Sequence, residues 1–197
     1  MNKRIFDLVF SILGVILLLP IIIFISILIK SDSKGPIFFK QDRVGKDEKV
    51  FKTYKFRTMK IQKENVHPLT IKNDPRITKI GYSLRKLKID ELPQLFNVIK
   101  GEMSLVGPRP ETLELIKFWP NDKKSIVLSI RPGMTDNASI EYLNESDYFK
   151  NKEDSLKTFK DDILPKKLDL YVDYVNQRTL INDFYIIFLT FLRIVKQ

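Results

Sequence analysis

Asp90 and Glu91 stand side by side in the run from Ser83 to Pro110, SLRKLKIDELPQLFNVIKGEMSLVGPRP, with Arg85, Lys86 and Lys88 before them and Arg109 after them. Adjacent carboxylates flanked by cations suit phosphate chemistry. Such a pair can hold Mg2+, which takes one or two carboxylates and fills its remaining positions with water and substrate phosphate oxygens. A carboxylate can also attack phosphorus directly, forming an acyl phosphate that a second acceptor resolves. An anion attacking an anion then needs a metal, cationic side chains or a helix dipole to offset the repulsion. The plainer reading of the same residues is a helix start. Pro93 and the apolar residues Leu92, Leu95, Phe96, Val98 and Ile99, closed by Gly101, predict a helix of about ten residues. Asp90 would be its N-cap and Glu91 would lie in its first turn, complementing the dipole and doing nothing else. Adjacent helical positions point roughly 100° apart, so both carboxylates reach one site only through an irregular first turn, which Pro93 permits.

The candidate anion-binding residues come from several places. Arg109 lies between Pro108 and Pro110, and Arg131-Pro132-Gly133 forms a second Arg-Pro turn. A stiff turn offers arginine as a bidentate donor suited to phosphate, although either arginine could instead pin a loop through backbone carbonyls. In the stretch FKTYKFRTM, Lys52, Lys55 and Arg57 alternate with Phe51, Tyr54 and Phe56. That pattern allows nucleic-acid binding through phosphates and stacking, and equally describes an edge strand with one wet face. The single His67, beside Pro68, reads as a loop residue.

The elements that must position these groups are legible in outline. The chain has 197 residues, 44% of them hydrophobic, enough for one compact unit with a sizeable core. Its formal charge of +10 points to a polyanionic partner: nucleic acid, an acidic membrane surface or a phosphate-bearing substrate. The absence of cysteine excludes disulfides and thiolate zinc sites. Leu8 to Ile29 carries no charge, which is long enough for a membrane segment. Its flanks, Lys3 and Arg4 on one side and Lys30 and Lys34 on the other, are balanced and fix no orientation. Pro20 deletes a helical hydrogen bond, so two short arms dipping into one leaflet and a single span both remain open. Beyond Gly35-Pro36, Ile37–Val44 and Val50–Met59 predict a β-hairpin around Gly45-Lys46-Asp47-Glu48. Glu64–Asp74 reads as a loop and Ile77–Lys88 as a short basic helix that brings Arg85, Lys86 and Lys88 to the acidic pair. Glu111–Trp119 and Lys123–Ser129 predict short helices, Asn144–Asp162 a solvated charged surface, and Leu164–Gln177 a helix. Phe184–Val195 places Phe184, Ile187, Phe188, Phe191, Leu192 and Val195 on one stripe, too short to span a bilayer and suited to the interface or the core.

Together, KIDELPQLFNVIKGEMSLVGPRP, QDRVG at Gln41–Gly45, YKFRTM at Tyr54–Met59 and RPGMT at Arg131–Thr135 resemble the small monotopic phosphoglycosyl transferases that initiate bacterial glycoconjugate synthesis. The resemblance runs from about Arg4 to Val195. It implies an α+β, mostly helical fold: a re-entrant membrane helix hairpin over residues 1–34, then one cytoplasm-facing catalytic region over 35–197 with a small β-hairpin and interfacial amphipathic helices. It also implies transfer of a sugar 1-phosphate from a UDP-sugar to polyprenyl (undecaprenyl) phosphate with release of UMP. The reaction would depend on Mg2+, sit at the bacterial inner membrane and involve no nucleic acid. By motif position Asp90 would be the nucleophile and Glu91 its partner in metal binding or proton handling. Lys55, Arg57, Arg85, Arg109 and Arg131 would be candidates for binding phosphates or nucleotide. Two departures stand out: Leu19 precedes Pro20 where the family often has serine, and Asp136 follows RPGMT where members commonly have glycine. Outside the resemblance, a membrane-tethered basic binding module would leave the acidic pair and the two Arg-Pro turns without a role, and an anchored scaffold would need a partner surface that the sequence does not display.

Overall fold

A computed structural model describes residues 3–61, 69–70, 74–149 and 152–196. His67 and most of the expected loop over 64–74 lie outside the described residues. The uncharged run forms α1, Lys3–Asp32, one helix with Pro20 inside it. The helix is long and apolar enough to cross a membrane. Only one side of it packs on the rest of the chain: Phe6, Ser11, Ile22, Ile25 and Ile29 are buried, whereas Ile16, Leu17, Ile23, Phe24 and Ile27 are exposed. Both ends are tied down. Arg4 donates to the carbonyls of Val98 and Ile99 at 2.6 and 2.9 Å. At the other end Arg57 donates to the carbonyls of Ser33, at 2.7 Å, and Lys34.

The expected hairpin forms from β1 (Phe38–Val44) and β2 (Val50–Phe56), antiparallel, with Phe38 opposite Phe56 and Val44 opposite Val50. The polar turn between them is a single 3-10 turn in which Asp47 and Glu48 take positive φ. The basic helix is α2, Lys79–Lys86, capped by the Thr78 hydroxyl, which accepts from Gly81 N. The apolar run after the carboxylates is α3, Gln94–Lys100, stopped by Gly101 at φ 86° as the sequence predicts. Asn97, completely buried, locks α3 to β2. Its amide accepts from Tyr54 N at 3.0 Å and donates to Lys52 O and to Glu102, both at 2.7 Å.

β3 (Ser104–Val106) and β4 (Gly133–Thr135) pair in parallel, joining the two Arg-Pro turns. Gly107 and Gly133 meet backbone to backbone there, and a Cβ on Gly133 would fall inside the van der Waals shell of Gly107 N and O. Glu111–Trp119 forms only a 3-10 turn at Ile116–Phe118, followed by α4, Asn121–Val127. Asp136 caps α5 (Asn137–Glu141): its carboxylate accepts from Ser139 N at 2.9 Å and Ser139 Oγ at 2.6 Å. Asn144–Asp162 departs from the solvated surface expected of it. It contains α6, Lys152–Thr158, and a wide turn at Phe159–Ile163, and it buries Phe149, Ser155 and Phe159. A charged segment can still contribute apolar residues at helical spacing to a core, and these join Trp119, Leu168 and Tyr171. α7 (Leu164–Gln177) and α8 (Leu180–Val195) complete the chain. A buried polar network ties the two termini together. Lys3 pairs with Asp7 and Asp183, each at 2.9 Å; Asp7 also accepts from Ser104 Oγ at 2.8 Å; Tyr174 donates to Asp183 at 2.7 Å.

Candidate active site

The carboxylate pair is presented by an irregular turn. Lys88 takes a left-handed conformation (φ 55°), Ile89–Glu91 makes one 3-10 turn, and Pro93 begins α3 with no side-chain capping bond. Asp90 is therefore not an N-cap, and the capping reading of the sequence fails. Asp90 lies within the 3-10 turn, two residues after the left-handed Lys88, and is 7% exposed.

Long-range contacts then treat the two carboxylates differently. Arg109 closes on Glu91 bidentately, Nη1 donating to Oε2 at 2.9 Å and Nη2 to Oε1. Lys55 Nζ adds a second ion pair to Oε1 at 2.8 Å. Burial pushes the Glu91 carboxyl up, but Arg109 and Lys55 together outweigh it and hold Glu91 well below the usual carboxylate range. Asp90 makes no ion pair or side-chain hydrogen bond among the described residues. Burial first, and the charge of Glu91 second, raise its pKa, while Lys55, Arg85 and Lys88 pull the other way. Two carboxylates whose environments push them apart are suited to different roles.

The GPRP turn is held at both ends. On one side Gly107 N donates to Thr135 O at 3.0 Å and Gly133 N to Pro108 O at 2.9 Å. On the other, Arg43 donates to Pro110 O at 3.0 Å and Val44 N to Glu111 O at 2.9 Å. Glu111 is shared between Arg43, at 3.4 Å, and the buried Lys167, at 3.7 Å, which also pairs with Glu145 at 3.2 Å. Lys88, its pKa lowered by burial and by Arg109, donates to the carbonyl of Leu143.

Of the cations singled out in the sequence, Lys55, Arg85 and Arg109 converge on the pair, and Arg57 and Arg131 do not. Arg57 is buried against the last carbonyls of α1. Arg131 is exposed and donates to Gly101 O at 2.7 Å, the loop-pinning alternative. The cations of the β2 arm are partnered within the chain, Lys52 with Asp42 and Lys55 with Glu91. Arg43, Glu111, Glu145 and Lys167 were missed. Arg43 sits in the QDRVG motif and Glu111 directly follows GPRP, so both had a motif signal; Lys167 had no local signal.

Asp90, Glu91 and the cations open on a cleft of about 1460 Å³. The described residues contain no group of three or more His, Cys, Asp or Glu that could hold a metal. The donors on offer are the Asp90 carboxylate and Glu91 Oε2, which accepts only one hydrogen bond. A two-carboxylate set of this kind fits Mg2+ when a substrate supplies further oxygens, and does not make a closed structural metal site.

A sequence profile of the family described as bacterial sugar transferase matches residues 1–197. The chain is 51% identical over 109 residues to the exopolysaccharide production protein PSS of Rhizobium leguminosarum, covering 54% of each chain. It is 34% identical over 191 residues to the UDP-glucose:undecaprenyl-phosphate glucose-1-phosphate transferase of Escherichia coli, covering 95% of this chain and 39% of that one. It is 38% identical over 162 residues to the undecaprenyl-phosphate galactose phosphotransferase of Salmonella typhimurium, covering 74% of this chain and 34% of that one. The chain thus spans roughly a third to a half of the length of these relatives.

Proposed function

The chain belongs to the bacterial sugar transferase family, and on that premise we propose that it transfers a sugar 1-phosphate from a UDP-sugar to undecaprenyl phosphate, with Asp90 as the covalent nucleophile. A carboxylate oxygen of Asp90 attacks the phosphorus that bears the sugar. The diphosphate P–O bond breaks, and UMP leaves with that electron pair. A phosphate oxygen of the lipid acceptor then attacks the same phosphorus, the acyl phosphate bond breaks, and the Asp90 carboxylate is restored. The observation that carries this reading is Asp90 itself, a buried carboxylate without an ion-pair partner among the described residues, facing Lys55, Arg85 and Lys88 beside a Glu91 held by Lys55 and Arg109. Glu91 and Arg109 form the fixed wall of the site, and Arg85 and Lys88 meet the donor's phosphates. Where Mg2+ binds, Asp90, Glu91 Oε2 and donor phosphate oxygens would hold it, and its charge would offset the repulsion between carboxylate and diphosphate. The test mixes purified protein, UDP-sugars, Mg2+ and undecaprenyl phosphate and measures UMP release. Asp90→Asn should abolish it, and chelation should suppress it reversibly. Unchanged turnover in Asp90→Asn would remove the nucleophile.

The same reading places α1 as a re-entrant element in the cytoplasmic leaflet of the inner membrane, with α8 at the interface. Its support is mechanical. Arg4 at the start of α1 and residues 33 and 34 at its end are hydrogen-bonded to the same catalytic unit, whereas a spanning helix would carry one end across about 30 Å of hydrocarbon. The chain has no native cysteine, so Asn2→Cys can be labelled cleanly from outside the cell. Protection from an impermeant reagent is expected, and labelling would establish a span instead.

A further inference from the structure

Behind the GPRP turn lies a cluster of buried charges that the transfer steps do not use. Lys167 of α7 is buried and reaches two carboxylates, Glu111 at 3.7 Å and Glu145 at 3.2 Å. The other carboxylate oxygen of Glu111 meets Arg43 Nη1 at 3.4 Å. Arg43 is committed elsewhere as well: Nη1 donates to Pro110 O at 3.0 Å and Nη2 to Gln41 Oε1 at 2.8 Å. Burial lowers the pKa of Arg43, with Glu111 as the leading counterweight. These charged groups line the same cleft as Arg109. Glu111 stands two residues after Arg109, and its charge acts on that guanidinium, second among carboxylates to Glu91. Arg109 thus has two carboxylates in electrostatic range and a fork that fits one of them at a time. In the folded chain the fork is closed on Glu91, and Glu111 is left to Arg43 and Lys167.

Resting on the transfer reading above, we infer that Lys167 is a positioning residue for the reaction: by satisfying Glu111 it keeps Glu111 from competing with Glu91 for Arg109. Lys167 makes no ion pair with Asp90 or Glu91 among the described residues, so it acts on them only through Glu111. Water cannot replace it, because the Glu111 side chain is 7% exposed, and a buried carboxylate that loses its cation must find another or stay unpaired at a large cost. Arg43 cannot serve alone, since the nitrogen it offers Glu111 is shared with Pro110 O. Glu145 differs: its side chain is 28% exposed, and water can satisfy it when Lys167 is gone. Without Lys167, Glu111 draws on Arg109, Glu91 loses its fork, and Asp90 loses the fixed neighbour that sets it apart.

The experiment uses the full chain in detergent. Lys167→Met should lower kcat for UMP release about tenfold while changing KM for the UDP-sugar less than about threefold. Adding Glu111→Gln removes the competitor and should return kcat to within about threefold of Glu111→Gln alone. Lys167→Met combined with Glu145→Gln deletes the same two charges but leaves Glu111 in place, and its kcat should stay low. Where Lys167→Met alone does not fold, the two double variants are compared with the wild type, and the same order is expected. A Glu111→Gln double variant that does not fold, that is as slow as Lys167→Met, or that is matched by the Glu145→Gln double variant overturns the assignment. A second readout needs no turnover: the Arg109 Nη–H signals of 15N-arginine-labelled protein, assigned through Arg109→Lys, should shift in Lys167→Met and return when Glu111→Gln is added. Unmoved signals would also overturn the assignment. Wild-type protein in which these signals behave as expected across the variants but which releases no UMP would instead count against the transfer reading.

Discussion

Arg109 grips both carboxylate oxygens of Glu91 across 18 residues of chain, and this contact separates the two neighbouring acids into a fixed anion and an available one. The guanidinium is held by flanking prolines, by the Gly107–Gly133 approach and by Arg43 on Pro110 O. Glu91 is thus held by two cations, and Asp90 makes no ion pair among the described residues.

Asp90→Asn should lower UMP release by about three orders of magnitude or more, as expected when a nucleophile is removed. The same substitution should raise Tm at neutral pH, because it deletes a buried negative charge lying beside Glu91. Activity and thermal unfolding measured on one preparation check both halves.

Glu91→Gln should have the opposite effect on stability. It leaves Arg109 and Lys55 facing each other without their shared anion, and breaking a buried pair in this way costs about 3 kcal/mol. A lower denaturant midpoint with an unchanged m-value is the expected result.

The two acids should also leave opposite marks on pH dependence in metal-free buffer. The folded pKa of Glu91 is depressed, so its stabilising contribution is present above its unfolded pKa and is lost as pH falls through its folded value. That of Asp90 is raised, so its contribution is present below its unfolded pKa and is lost as pH rises through its folded value. The Tm advantage of Asp90→Asn should therefore grow as pH rises past the ordinary carboxylate range and vanish in acid. With Mg2+ restored, single-turnover UMP release by the wild-type protein should fall in acid as the Asp90 carboxylate is protonated.

Gly133→Ala should destabilise the chain by about 3 kcal/mol, because the new methyl would meet Gly107 backbone that has no flexible side chain to move. Displacement of β3 from β4 would carry Arg109 with it, so UMP release should fall alongside the denaturant midpoint.

Arg131→Ala should change activity less than about threefold and stability by less than about 1 kcal/mol, since one exposed hydrogen bond to Gly101 O is lost. Arg57→Ala should weaken the docking of the α1 C-terminus, lowering Tm while leaving KM for the UDP-sugar unchanged. A large rise in that KM for either variant would restore the phosphate-binding role that the sequence suggested.

Sequence alone determined whatever depends on local pattern. An uncharged run has to become an apolar helix, alternation around Gly45–Glu48 has to become a hairpin, and a glycine after an apolar helical run has to stop α3. Leu164–Gln177 was legible to the residue because its apolar spacing and its Pro165 start act within a few turns. The motifs also located the acidic pair. Tertiary structure decided the chemistry of each member. Whether Asp90 caps a helix depends on the left-handed Lys88, and which acid is neutralised depends on Lys55 and Arg109, 36 and 18 residues away. Arg57, Arg109 and Arg131 were equivalent as residues in basic or proline-flanked motifs. They parted only when folding set one against the end of α1, one against Glu91 and one against a loop carbonyl. Lys167, distant in sequence from Glu111 and Glu145, became part of the site's support in the same way. Coulombic and hydrogen-bond energies act over a few ångströms in space, and that distance is fixed by the fold and not by position along the chain.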